Sequence, residues 1–154
     1  MSMPRVAILL GSKSDEQVMH GCTEYLDGFG IAYDLRISSA HRQPDETAAF
    51  AKGAEKGGYA LIIAAAGMAA HLPGVIASHT TLPVIGVPLE GSALGGLDAL
   101  YSIVQMPAGI PVATVAIGQA GARNAAVLAA EILALGDRTL RKKLEKFRKN
   151  GSKF

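Results

Sequence analysis

Tyr59-Ala60-Leu61-Ile62-Ile63-Ala64-Ala65-Ala66 is an unbroken apolar run, entered through Gly57-Gly58 and left through Gly67. It has no polar face and no alternation. Such a run reads as a strand covered on both sides, the middle of a parallel sheet. Upstream, Pro44 opens a helix at its first position, with Asp45 and Glu46 in the first turn and Gly57-Gly58 closing it. Further upstream, Arg5–Leu10 (RVAILL) reads as a buried strand and Ile31–Ile37 as a second. Between those two, Ser14 and Gln17 have capping-box spacing for a helix reaching about Phe29, with Gly28 and Gly30 marking its end. Downstream, the pattern predicts helical residues around Ala69–Thr80, a strand over Pro83–Val87 and another over Pro111–Ile117. An alanine-rich helix over Ala120–Leu135 follows, stopped by Gly136, and then a C-terminal helix at about 137–149.

Strand alternating with helix implies right-handed crossovers and a parallel sheet with helices on both faces. The predicted fold is a three-layer α/β/α sandwich around a five-stranded parallel sheet, flavodoxin-like, in one domain over 1–154. Ligands in such folds bind beyond the carboxyl ends of the strands. Three polar or glycine-bearing loops fall there: Gly11–Asp15, Ser38–Arg42 and Ala66–His71.

Composition narrows the class. The 154 residues are 49% hydrophobic and 18% charged, which suits a compact globule and not a disordered chain. It also allows apolar surface to be buried between subunits. Net charge is +2, and over half of the 15 basic residues lie between Arg138 and Lys153. With Leu140, Leu144 and Phe147 as an apolar stripe, that run reads as the solvated face of a terminal helix, with no nucleic-acid partner. Cys22 is the only cysteine, so no intramolecular disulfide is expected. The N-terminus lacks the pattern of a signal peptide, and no apolar run is long enough to span a membrane. A cytoplasmic protein is expected.

The loops carry the chemistry. Gly11-Ser12-Lys13-Ser14-Asp15 offers backbone N–H groups, the Ser12 and Ser14 hydroxyls and a carboxylate at a helix start, where anions are favoured. It could cradle one phosphate, with Asp15 free to accept from ribose hydroxyls. Ser39 and Arg42 could close on the same phosphate, since a guanidinium holds phosphate through a planar fork of donors. His41 beside them would do proton chemistry near neutral pH. His71 reads as a structural histidine at a helix start; His20 and His79 show no partner signal. No His, Cys and carboxylate cluster has zinc-site spacing, and no Gly-x-Ser-x-Gly elbow occurs.

G-S-K-S-D at 11–15, S-A-H-R-Q-P-D at 39–45, A-A-H-L-P-G at 69–74 and S-I-V-Q-M-P-A-G-I-P-V at 102–112 closely resemble the PurE family of purine biosynthesis, in its bacterial mutase branch. The similarity runs from about residue 4 to about 148. It implies an isomerase that converts N5-carboxyaminoimidazole ribonucleotide to its C4-carboxylated isomer. It implies His41 as the proton-handling residue, Ser12, Ser39 and Arg42 at the 5′-phosphate, and Asp15 at the ribose. Gly67, Ala70 and Leu72 would line the base and carboxylate pocket. It further implies a homo-octamer and no ATP, biotin or metal cofactor.

The chain departs from the family pattern in three places. Ala65 and Met68 stand where relatives usually have glycines, Glu90-Gly91-Ser92 differs from the usual loop, and the C-terminus is shorter than in many relatives. Two rival readings are a direct aminoimidazole ribonucleotide carboxylase and a non-catalytic phosphate-ligand or flavin-binding module. The A-A-H-L-P-G segment favours the mutase over the first. His41 beside Arg42 would have no task in the second.

Overall fold

β1 (Arg5–Leu10), β2 (Tyr33–Ile37), β3 (Tyr59–Gly67), β4 (Val84–Leu89) and β5 (Ala113–Thr114) form one all-parallel sheet in the order β2-β1-β3-β4-β5. The structure is a computed structural model that describes residues 5–154; the first four residues of the N-terminus lie outside the described residues. β3, the run that predicted the sheet, is its middle strand. Its residues alternate between two buried layers, which is why it shows no polar face.

Leu61, Ile63 and Ala65, with Val6, Ile8 and Leu10 of β1 and Ile85, Val87 and Leu89 of β4, face one core. That core is closed by α1 (Glu16–Phe29), α5 (Gly118–Leu133) and α6 (Arg138–Lys149). Met19, Cys22, Leu26 and Phe29 of α1 recur every three or four residues and are all buried, so the helix presents one continuous apolar stripe. Burial pushes the Cys22 thiol up to about 12, leaving it an inert packing group at neutral pH. Ala7 and Leu9 of β1, Ile62, Ala64 and Ala66 of β3 and Val84 of β4 face the second core. There they meet α2 (Pro44–Gly53), α3 (Leu72–Ala77) and α4 (Leu97–Val104). Gly86 lets α4 approach β4 closely: a Cβ there would collide with Ile103 and lie 2.8 Å from Val112. The sandwich is therefore three-layered and flavodoxin-like, as predicted.

Several boundaries differ from expectation. The strand expected over Pro111–Ile117 narrows to two residues that pair with Ile85 and Gly86 at the sheet edge. Proline lacks an N–H to donate at Pro111, so the ladder starts late. α4 was missed altogether: Gly95-Gly96 ahead of it reads as a loop, and both glycines do take positive φ. The first helix also starts differently. A 3₁₀ turn over Lys13–Asp15 precedes α1, so the capping box is Ser12 with Asp15 instead of Ser14 with Gln17.

Among the described residues, no helix is long and apolar enough to cross a membrane.

Candidate functional site

The strand order reverses direction between β1 and β3, and a crevice opens at the carboxyl ends of that pair. A cleft of about 590 Å³ lies there. Ser12, Ser14, Asp15, Ser39, His41, Arg42, Gly67 and Leu72 all line it, so loops far apart in sequence meet as the pattern predicted. Ala70 does not. It is buried in the second core beside Leu72 and Ile76, because two successive tight turns (Ala70 N–H to Met68 O and His71 N–H to Ala69 O) swing it inward.

Each loop is held by identifiable bonds. In the first, Ser12 accepts from the Ser14 backbone N–H at 3.4 Å, and Asp15 Oδ2 accepts from the Ser12 N–H at 3.0 Å. The Ser12 and Ser14 hydroxyls lie 3.0 Å apart, a paired donor set at the mouth of α1. Burial pushes the Asp15 carboxyl above the ordinary carboxylate value, and the Ser12 N–H partly offsets this. Asp15 therefore serves as cap and cleft wall together.

The second loop is anchored at both ends. Ser38 N–H donates to Leu10 O at 2.8 Å, and the Ser38 hydroxyl meets Thr47 Oγ1 of α2 at 2.7 Å. Ser39 Oγ accepts from the Arg42 N–H at 3.3 Å, which curls the chain so that His41 and Arg42 both project outward. Among the described residues the Arg42 guanidinium has no hydrogen-bond or ion-pair partner. Its donors are free for a ligand.

Sequence reading missed the closest contact in the cleft. His41 Nε2 lies 2.7 Å from His71 Nδ1, with the rings edge to face at 88° and centroids 4.9 Å apart. His71 sits just before α3, yet its side chain makes no capping bond and is committed to His41. The signal was present, since His71 lies in one of the motif segments, but a contact between residues thirty positions apart leaves no trace in local periodicity. Gly11, Ala40, Met68 and Ala69 line the cleft from within the three predicted loops, whereas Val18 and, just after β4, Glu90 and Gly91 line it from outside them.

One bond of this kind needs one proton between the two facing nitrogens. In the arrangement with Nε2–H of His41 donating to His71, the Nδ1 of His41 is the nitrogen left for other work. Nδ1 can then alternate between lone pair and N–H while the His41–His71 bond persists. That is the behaviour of a single group acting in turn as base and acid.

Met68 departs from the backbone rules at the cleft rim. Its φ is +55° and its side chain is 61% exposed, so it neither enters the core nor relieves a packing need. A left-handed non-glycine residue costs about 1–2 kcal/mol. Met68→Gly is therefore expected to raise stability by about 0.5–1 kcal/mol, after allowing for glycine's freer unfolded chain. The urea midpoint reads this directly; an unchanged or lower midpoint would contradict the strain.

The AIR carboxylase family model matches residues 5–153. The N5-carboxyaminoimidazole ribonucleotide mutase of Brucella melitensis is 58% identical over 144 residues, covering 94% of this chain and 89% of that protein. The enzyme of the same name from Escherichia coli K12 is 54% identical over 145 residues, covering 94% and 86%. The crystal structure of Treponema denticola PurE superposes with a TM-score of 0.87 at 31% identity, covering 97% of this chain and 92% of that one.

Proposed function

The chain belongs to the AIR carboxylase family, and we propose that within it His41 is the single proton carrier of a mutase. The protein is an isomerase of purine biosynthesis that converts N5-carboxyaminoimidazole ribonucleotide to its C4-carboxylated isomer. The observation that carries the assignment of His41 is its 2.7 Å bond to His71 beside the unpartnered Arg42.

The reaction needs one proton moved and one CO2 kept. Protonated His41 gives its Nδ1 proton to N5 as the N5–carboxyl bond breaks, releasing CO2 and the neutral amine. C4 then attacks CO2, forming the new C–C bond. His41 Nδ1, now a free base, takes the C4 proton and the ring regains aromaticity. The proton lost at the start returns at the end, so neither a second base nor a net proton is required. Holding CO2 against C4 inside the cleft replaces a bimolecular encounter with a local one.

Ser12, Ser14, Ser39 and Arg42 hold the 5′-phosphate in this reading. The paired hydroxyls, the N-terminal end of α1 and a guanidinium fork all favour a dianion. Asp15 accepts from the ribose, and Gly67 and Leu72 form the floor under the base. Ala70 acts from behind that floor, by backing Leu72. The 3₁₀ turn and the loop bonds hold these groups before ligand arrives, which lowers the ordering cost of binding.

A homo-octamer in the cytoplasm completes the proposal. Leu97, Tyr101 and Val104 make an exposed apolar stripe along α4, continued by Leu94 in the turn before it, and Leu35 and Ile37 make another on edge strand β2. Further copies of the chain would cover both.

The deciding assay offers purified protein either the N5-carboxylated substrate or aminoimidazole ribonucleotide with modest bicarbonate. Turnover of the first alone is expected. Efficient turnover of the second would make the chain a direct carboxylase, and no turnover of either would leave a binding module.

A further inference from the structure

Glu90 is the one charged residue of the cleft that the mechanism above leaves without a task. It follows β4 directly and lines the cleft with its carboxylate exposed. Among the described residues, that carboxylate has no ion pair and no hydrogen bond. An unpaired negative charge in a site for a phosphorylated, carboxylated ligand calls for a reason.

Its position is built. Gly96, at the start of α4, has φ +85°, and a Cβ there would lie 3.4 Å from Glu90 Cγ. Gly118, the first residue of α5, has φ +71°, and a Cβ there would lie 3.6 Å from Glu90 Oε1. Both glycines take a conformation that other residues adopt only with strain. Together they form a slot that receives the Glu90 stem and sets its carboxylate over the start of α5. No side chain caps α5, so its first N–H groups are left without an intrahelical partner beside Glu90. The oxygens nevertheless keep their acceptor capacity, since no donor among the described residues uses it.

The donors that a ligand offers there are few. The phosphate and carboxylate have none, and the ribose hydroxyls fall to Asp15 in the proposal above. The remaining donor is the exocyclic nitrogen of the imidazole, which carries N–H as the carbamate and again as the free amine. We propose that Glu90 is a specificity-determining residue that accepts a hydrogen bond from this N5–H; the assignment rests on the mutase reading. Accepting that proton's hydrogen bond leaves more electron density on N5, and through the ring on C4, the atom that must attack CO2. Glu90 thereby selects ligands that bear an amine at this position and turns them with C4 toward the trapped CO2.

Binding and turnover separate this role from others. Wild-type turnover of the N5-carboxylated substrate first establishes the mutase reading independently. Aminoimidazole ribonucleotide and ribose 5-phosphate, which lacks the base, are then titrated into wild type, Glu90→Gln and Glu90→Ala. Loss of a hydrogen bond to a charged group is worth on the order of tenfold or more. Glu90→Ala is expected to weaken the amine-bearing nucleotide by about that factor and leave ribose 5-phosphate unchanged. Glu90→Gln, which fills the same slot and keeps a neutral acceptor, should fall between and lower kcat more than it raises KM. Equal weakening of both ligands, tighter binding of both from relieved repulsion, or no change would each overturn the proposal.

Discussion

His41→Asn abolishes turnover while the nucleotide still binds: a fall in kcat of about 10³-fold or more is expected, with ligand affinity changed less than about threefold. General acid–base catalysis by one positioned group is worth roughly 10²–10⁴-fold. Here one group performs both transfers, so its loss stands at the upper end. Asparagine keeps a polar side chain in the anchored loop, and none of the bonds that hold this loop (Ser38 to Leu10 and Thr47, Ser39 to Arg42) involves the imidazole. Folding should therefore be unaffected. Single-turnover rates measure the chemical step and a ligand titration measures the binding; a near-normal rate would refute the role of His41. His71→Asn tests the tautomer argument in the same assay. It leaves the proton carrier in place but frees His41 Nε2, so part of the rate should survive with an altered pH profile.

The layers of the fold were legible for a physical reason. A parallel strand buried on both faces must be apolar throughout, as Tyr59–Gly67 is and as β1 is after Arg5. Helices start at proline and acidic residues and carry one apolar stripe, as Pro44–Gly53 and Glu16–Phe29 do. What escaped were elements defined by their neighbours. β5 is two residues long, paired only with Ile85 and Gly86 although β4 runs on to Leu89, and α4 is recognisable as a helix only once its buried Ala99 and Ile103 have a sheet to cover. The cleft divides similarly. Loop chemistry identified Ser12, Asp15, Ser39, His41 and Arg42 because each residue type declares what it can do. Ala70 was misplaced because the turns at Met68–His71 decide which side chain faces the cleft. His71 and Glu90 were passed over because their meaning lies in what they face across the fold: His41 in one case, the start of α5 in the other.

Arg42→Ala separates anchoring from chemistry. Arg42 is exposed, and no other side chain depends on its guanidinium, so removing it should cost the fold nothing measurable. Its worth appears only with ligand present. Hydrogen bonds to charged groups contribute about 1.5–3 kcal/mol, and a bidentate phosphate contact sits at the upper end, corresponding to about a hundredfold in affinity. KM for the N5-carboxylated substrate is expected to rise by about that factor, and kcat to fall much less, because the phosphate takes no part in moving CO2 or the proton. Lysine at the same position restores the charge without the planar fork, so Arg42→Lys should recover part of the loss. Ribose 5-phosphate supplies the control: its affinity should drop with Arg42→Ala as steeply as the substrate's does. A fall confined to kcat, or equal binding of ribose 5-phosphate to wild type and variant, would move Arg42 away from the phosphate and reopen how the ligand is oriented against His41.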